Sequence, residues 1–439
     1  MEPRSVKSLP HSRNASSPVN TGGDSGQFAR EGHRGVSVAN FDWIARILNY
    51  NAAPQLRRTD PRMTDKIQHY FASAEPETPC LVVDLDRVAD NYRRMAALIP
   101  WGEIFYAVKA NPAAPIIERL AAAGASFDAA SPAEIAACVA TGVSSTRISY
   151  GNTVKKASDI AFAATAGVGL FAFDSAGELD KIAAHAPGAG VICRIVVSND
   201  GARWPLTRKF GCDPAAALGL LRRAADAGLR PLGLSFHAGS QQTDPARWEE
   251  AIALCADIGA QADAEGMPLD VLNLGGGFPI PYDDADVPDL AAVFTRIGRA
   301  LTVAFGSRLP RVMVEPGRAI VADAGIIRSE VVLVTERVFD TSERWVYLDI
   351  GRYGGLAESE GEAIRYPIRA PGLDGASGPA VVAGPTCDSH DVLYENEQCD
   401  LPLALSAGDH VYLHDAGAYT TTYASVGFNG FAPLKEHYI

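Results

Sequence analysis

Eight short apolar runs, separated by Ala- and Leu-rich stretches of helical spacing, constrain this chain more than any other feature. The runs are residues 104–108, 126–129, 147–149, 170–173, 191–196, 232–236, 271–274 and 311–314. Between them lie stretches such as Pro112–Ala123, Pro132–Thr141 and Ala246–Glu265. Short apolar runs bounded by turn residues read as buried strands, and the longer periodic stretches read as helices. Eight such alternations, over about the 250 residues typical of the fold, predict a (β/α)₈ barrel. The active site of such a barrel lies at the C-terminal ends of its strands.

Those ends are polar here. The first reads Phe105-Tyr106-Ala107-Val108-Lys109-Ala110-Asn111-Pro112, a β-forming run ended by Asn-Pro with a lysine where the strand stops. The second ends at Asp128, the third at Tyr150-Gly151-Asn152 and the fourth at Asp174, and the fifth carries Arg194. The sixth ends His237-Ala238-Gly239-Ser240-Gln241, and the seventh ends Gly275-Gly276-Gly277-Phe278-Pro279. The eighth ends Glu315-Pro316-Gly317-Arg318. One polar strand end means little, because loops are polar by default. So many charged ends and a triple glycine on one rim are hard to reach by chance.

After about residue 325 the pattern changes to short strands between Gly, Pro and Asp turns. Val331–Thr335, Arg344–Asp349, Ala380–Ala383 and His410–Leu413 are the strand-like pieces, so residues 326–439 read as a β-domain. Residues 85–325 are the barrel, and 63–84 are a lead-in whose strand at Cys80–Asp84 is expected to pack with the β-domain. Residues 1–62 are rich in Ser, Gly, Asn, Arg and His and are expected to be a disordered or dispensable extension. Within it, residues 37–55 could form one short amphipathic helix.

Composition excludes several classes. The chain has 439 residues, 47% of them hydrophobic, enough for a large core. A net charge of −13 argues against a nucleic-acid partner. No apolar run reaches the ~18 residues a membrane span needs. The seven cysteines have no CxxC or Cys/His spacing, which predicts reduced thiols, a cytoplasmic protein and no metal site.

The rim suggests its own chemistry. Burial costs an ammonium and lowers its pKa, and a lysine amine so lowered is a Schiff-base nucleophile. The alternative for Lys109 is a side chain snorkelling out of a strand end. Gly275, Gly276 and Gly277 can turn successive N–H groups onto an anion, and late barrel loops are the usual phosphate site of this fold. Ser240 and Arg318 flank them. A phosphate beside a strand-end lysine implies pyridoxal phosphate (PLP). Glu315 then keeps the pyridine nitrogen protonated; the alternative is an ion pair with Arg318. His237 could stack on the ring face, or be a hydrogen-bonded structural histidine.

The motifs YAVKAN, FDAAS, SFHAGSQ, NLGGGFP, EPGR, GPTCDS and GAYT occur in this order. Together they resemble the fold-type III PLP decarboxylases, and most of all the bacterial ornithine/lysine branch. The resemblance runs from about Thr78 to the end of the sequence. It implies an alanine-racemase-like barrel followed by a β-domain, and a head-to-tail homodimer with two shared active sites. By this resemblance Lys109 is the Schiff-base lysine, with Asp128 near its link to the cofactor and Arg194 near the ring. His237 stacks on the ring. Ser240, Gly275, Gly276, Gly277, Gly317, Arg318 and Tyr419 hold the cofactor, largely at its phosphate. Glu315 takes the pyridine nitrogen. Cys387 and Asp388 are donated by the partner subunit, the first as a proton donor and the second to the substrate's distal amine. Glu362, after Tyr353-Gly354-Gly355, is expected to be the second acidic contact of that amine.

The implied reaction is decarboxylation of a basic amino acid, L-ornithine to putrescine or L-lysine to cadaverine. Alanine in HAG and FDAAS, where valine and cysteine are common, are small apolar swaps that alter packing more than chemistry. Diaminopimelate and arginine decarboxylases of the same fold are the competing enzymes; Asp388 in CDS, rather than a glutamate, favours ornithine/lysine. A non-catalytic relative, like the antizyme inhibitors, would be expected to lose cofactor residues, and Lys109, His237, Glu315 and Cys387 all remain.

Overall fold

The first described strand, β1 (Cys80–Val83), is buried along its whole length, yet it belongs to the sheet that follows the barrel. The structure is a computed structural model that describes residues 63–206, 209–282, 287–338, 342–373 and 375–439. The extension expected at residues 1–62, with its helix at 37–55, lies outside the described residues.

A helix at Asp65–Ala74 precedes β1 and buries Ile67 and Phe71. They pack with Cys80, Val82 and Ile326 in a small core of their own. Asp84 then ends β1 and caps the helix Leu85–Leu98, its carboxylate accepting from the N–H groups of Asp86 and Arg87. An N-cap carboxylate of this kind answers two otherwise unpaired donors of the first turn.

The barrel closes as β2 (Gly102–Ala107), β3 (Ser126–Ala129), β4 (Ile148–Tyr150), β5 (Leu170–Phe173) and β6 (Gly190–Arg194). A small antiparallel pair interrupts the series, β7 (Ala202–Trp204) with β9 (Ser240–Gln242). The ring is completed by β8 (Arg230–Ser235), β10 (Val271–Asn273) and β11 (Arg311–Val314), with β11 pairing β2. All eight barrel strands are parallel. They coincide with the eight apolar runs to within a few residues at each end.

Alternation along the strands places the site. Phe105, Ile192, Val271 and Met313 form one cluster with Leu170 and Leu232, which fills the barrel interior with side chains from six adjacent strands. Ile104, Tyr106 and Phe127 belong instead to the large core under the helices. Strand residues two apart share a face. From Phe105 the inward face therefore runs through Ala107 to the rim, where Val108–Ala110 makes a single 3₁₀ turn bearing Lys109.

The β-domain is one mixed sheet ordered β14-β17-β12-β13-β15-β16. Its strands are β12 (Gly325–Val338), β13 (Ser342–Leu348), β14 (Ile368–Arg369), β15 (Ser377–Ala383), β16 (Val392–Pro402) and β17 (His410–Leu413). Strand β1 pairs antiparallel with β12 and parallel with β18 (Lys435–Tyr438). The long β12 serves both halves, pairing β1 and β17 near its start and β13 beyond a bulge at Val331/Leu333. Among the described residues no helix is long and apolar enough to cross a membrane, and no cluster of His, Cys, Asp and Glu could hold a metal.

Candidate active site

The lysine turn is tied down from several directions. Ala107 N–H donates to Pro316 O (3.0 Å), and the Tyr106 hydroxyl donates to Asn111 O (3.0 Å). From the β-domain, Tyr419 N–H donates to Ala110 O (2.8 Å) and the Thr422 hydroxyl to Lys109 O (3.1 Å). Buried Asn111 donates to Gly417 O (3.2 Å). A Cβ at Gly317 would press on the Ala110 Cβ, so glycine there permits the close approach of the eighth strand end.

The Lys109 side chain is exposed at the rim although protein crowds closely around it. Its electrostatics differ from expectation. Burial pushes the ammonium down, but Tyr419, Asp128 and Glu315 outweigh it, and the net direction is up. A lowered lysine was expected from burial alone; the surrounding acidic groups correct that. Asp128, buried on β3, accepts from the Ser149 hydroxyl (2.9 Å). Burial and then the nearby Glu315 push its carboxyl well up.

His237 follows β8 and accepts the Gly239 N–H at Nδ1 (3.1 Å). Burial, Arg194 and Lys109 together push it well below the ordinary histidine range, so the ring is neutral. Arg194 ends β6 with its guanidinium over the Phe210 ring (5.4 Å). Burial lowers it, against the pull of Glu315, Asp174 and Asp128.

Gly275 and Gly277 take left-handed φ values of +66° and +87°, which non-glycine residues rarely adopt. Side chains at Gly275, Gly276 and Gly277 would also overlap the backbone oxygens of Phe236, Glu315 and Gly239. The loop is locked from both sides: Gln242 N–H donates to Gly277 O (2.9 Å), and Gln241 exchanges two hydrogen bonds with Ile280. Asn273 holds the centre. Its amide donates to Glu315 Oε1 and its carbonyl oxygen accepts from Gly275 N–H (2.9 Å). Asn273 was missed as a functional residue, although its polar side chain two positions before the triple glycine was a usable signal.

Arg318 is buried, and its partner is Glu358, not Glu315. The guanidinium forks onto both Glu358 oxygens (2.7 and 2.8 Å), with Nη1 also donating to Tyr282 (2.8 Å) and Nη2 to Ser240 (3.3 Å). The Tyr419 ring lies over it (4.8 Å). Its Nε–H is buried with no partner. An orphaned charged donor beside a glycine cradle is costly unless an anion takes it. The residues therefore fit the phosphate of PLP, with Glu315 near enough to Lys109 to act on its charge.

Glu362 lies elsewhere. Its carboxylate accepts N–H groups from Glu395 (2.9 Å), Asn396 (2.7 Å) and Glu397 (3.1 Å) on β16, and pairs with Arg365 (2.9 Å). A carboxylate so occupied ties the 357–362 turn to β16. The expected contact with a substrate amine does not fit it. Cys387 is exposed and Asp388 is half-buried. Cys387 N–H donates to Asn429 Oδ1 (3.0 Å), and Asp388 Oδ1 accepts from His390 N–H (2.8 Å), which with Tyr353 holds that carboxyl below its usual range.

A barrel rim with a tethering lysine, a neutral histidine, a phosphate cradle and a carboxylate held by an amide defines a PLP enzyme of the barrel type. Residues 85–322 match the model of the pyridoxal-dependent decarboxylase family, at its pyridoxal-binding domain. A lysine/ornithine decarboxylase of Selenomonas ruminantium is 37% identical over 370 residues, 84% of this chain and 91% of that protein. The lysine/ornithine decarboxylase of Vibrio vulnificus, solved with cadaverine, superposes with a TM-score of 0.77 at 32% identity, covering 86% and 99% of the two chains. The Paramecium bursaria Chlorella virus arginine decarboxylase gives 0.77 at 29%, covering 86% and 100%. The chain belongs to the pyridoxal-dependent decarboxylases.

Proposed function

We propose that this protein decarboxylates L-ornithine to putrescine, with L-lysine to cadaverine as a second activity. The observation that carries the reading is the rim itself: Lys109, Asp128, His237 and Glu315 gathered beside an anion cradle with a spare arginine donor. Relatives that act on these two amino acids support it.

Bound PLP supplies the electron sink for the pair left at Cα when CO₂ departs. The chain does the rest. Lys109 Nζ tethers the cofactor. Glu315, aimed by Asn273, keeps a proton at the pyridine nitrogen, and uncharged His237 offers a flat face to the ring. Gly275, Gly276 and Gly277, Ser240 and the Arg318 Nε–H hold the phosphate. Cys387 from a second copy of the chain returns a proton to Cα, and its Asp388 meets the distal ammonium. The exposure of Cys387 on its own chain supports a homodimer with shared sites, as do the exposed Tyr423, Val426 and Phe431 on the neighbouring loop. Seven free cysteines support a cytoplasmic setting.

The test is CO₂ release from ornithine, lysine, arginine and diaminopimelate. Turnover of ornithine above the others supports the reading; preference for arginine, which the viral relative brings into play, would replace it.

A further inference from the structure

We propose that Glu358 is a positioning residue that limits how tightly the barrel grips the cofactor's phosphate, by acting as a built-in counter-charge to Arg318. The inference rests on reading the rim as a PLP site and concerns the strength of that site. Arg318 and Glu358 are each 5% exposed and bonded through two parallel hydrogen bonds. A bidentate pair out of water is strong and directional. Tyr282 and Ser240 use further donors of the same guanidinium, which leaves Nε–H as its one unanswered group. The other donors at the cradle are neutral: the Gly276 and Gly277 N–H groups and the Ser240 hydroxyl, the Gly275 N–H being taken by Asn273.

A phosphate at this rim therefore meets a cation whose charge is already balanced. The carboxylate fixes the plane of Arg318 and leaves Nε–H, itself buried, without a partner. It also repels the anion that Nε–H receives. Remove that negative charge and the phosphate becomes the only counter-ion of a buried arginine. Affinity for PLP then rises, and the cofactor-free protein loses stability because it strands a buried charge.

Glu358→Gln carries the test, with PLP affinity and release followed by the visible absorbance of the lysine-bound cofactor. The expected result is a Kd lower on the order of tenfold, from a charge a few ångströms away in a partly screened site. Release slows to match. The ³¹P resonance of bound PLP should lose its second proton at lower pH than in the wild type, because a nearby negative charge is gone. A merely structural Glu358 would weaken binding instead. Unchanged or weaker affinity, or a ³¹P titration that stays put or moves up, overturns the proposal. Tyr282→Phe removes a neutral partner of the same guanidinium and should leave both readouts alone; tightening in that variant would also overturn it. If Glu358→Gln does not fold, Glu358→Asp draws the charge back by one methylene and should shift both readouts the same way by less, and weaker binding would again be decisive. Wild-type protein that shows no visible band with PLP defeats the cofactor reading itself; a normal band without tightening in the variants defeats only this inference.

Discussion

At the barrel rim most of the polar side chains are held by partners within one chain. Glu358 pairs Arg318, Asn273 aims Glu315, Ser149 holds Asp128 and the Gly239 N–H fixes the His237 ring. At the Cys387–Asp388 turn Cys387 is exposed and Asp388 half-buried, with Asn429, His390 and Tyr353 positioning the turn. The first region is finished by its own packing. The second has a defined backbone but an open thiol. Cofactor binding should therefore be a property of the single chain, and turnover a property of the pair.

Lys109→Ala should abolish turnover and the visible absorbance together, the largest effect expected; a surviving rate would break the comparison at its finished half. Cys387→Ala should lose most turnover yet keep cofactor binding. Mixing these two variants should restore up to about a quarter of wild-type sites, because a symmetric interface exchanges residues between subunits. No recovery after demonstrated subunit exchange would place Cys387 outside a shared site. Asp388→Ala should lower kcat/KM by about 10- to 150-fold while leaving PLP affinity alone, the scale of one charge-assisted contact to a substrate ammonium.

A smaller effect sharpens the electrostatics of the finished half. A carboxyl raised in the folded protein contributes stability at pH below its unfolded value and loses it as pH rises through the folded one. Asp128 is such a group. Asp128→Asn should therefore raise the melting temperature of the cofactor-free protein at neutral pH, with the gain vanishing in acid below about pH 4. The smallest effect should come from Glu362→Ala: a modest fall in melting temperature and no change in the ornithine-to-lysine ratio. A changed ratio would return Glu362 to the substrate pocket.

The barrel strands were legible because each is short, apolar and buried, so composition and position carry the same message. Strand β16 was not, since Tyr-Glu-Asn-Glu-Gln-Cys-Asp at its centre is largely polar and exposed. The first and last glutamates of Glu358-Ser359-Glu360-Gly361-Glu362 show the limit most sharply. Helical spacing would set Glu358 and Glu362 on one face. Gly361 and Glu362 instead take φ near +58° and +59°, which breaks the turn and sends the second carboxylate to β16. That break depends on tertiary contacts the local sequence does not reveal. Lys109 was found correctly as a rim lysine, but its direction of titration depends on Tyr419, Asp128 and Glu315, which lie far from it in the chain.

The position of β1 has a consequence for how the molecule is made. Cys80–Val83 leaves the ribosome before any barrel strand, yet one of its neighbours is residues 435–438, and Leu85 N–H at the start of the next helix waits for Ile439 O (2.8 Å). The barrel can assemble while β1 still lacks that neighbour. Its N–H and C=O groups then form an unpaired edge, a template for misplaced strands until residues 435–438 emerge. A nascent chain stalled after residue 430 should consequently be protease-sensitive around residues 63–84 while its barrel is already protected.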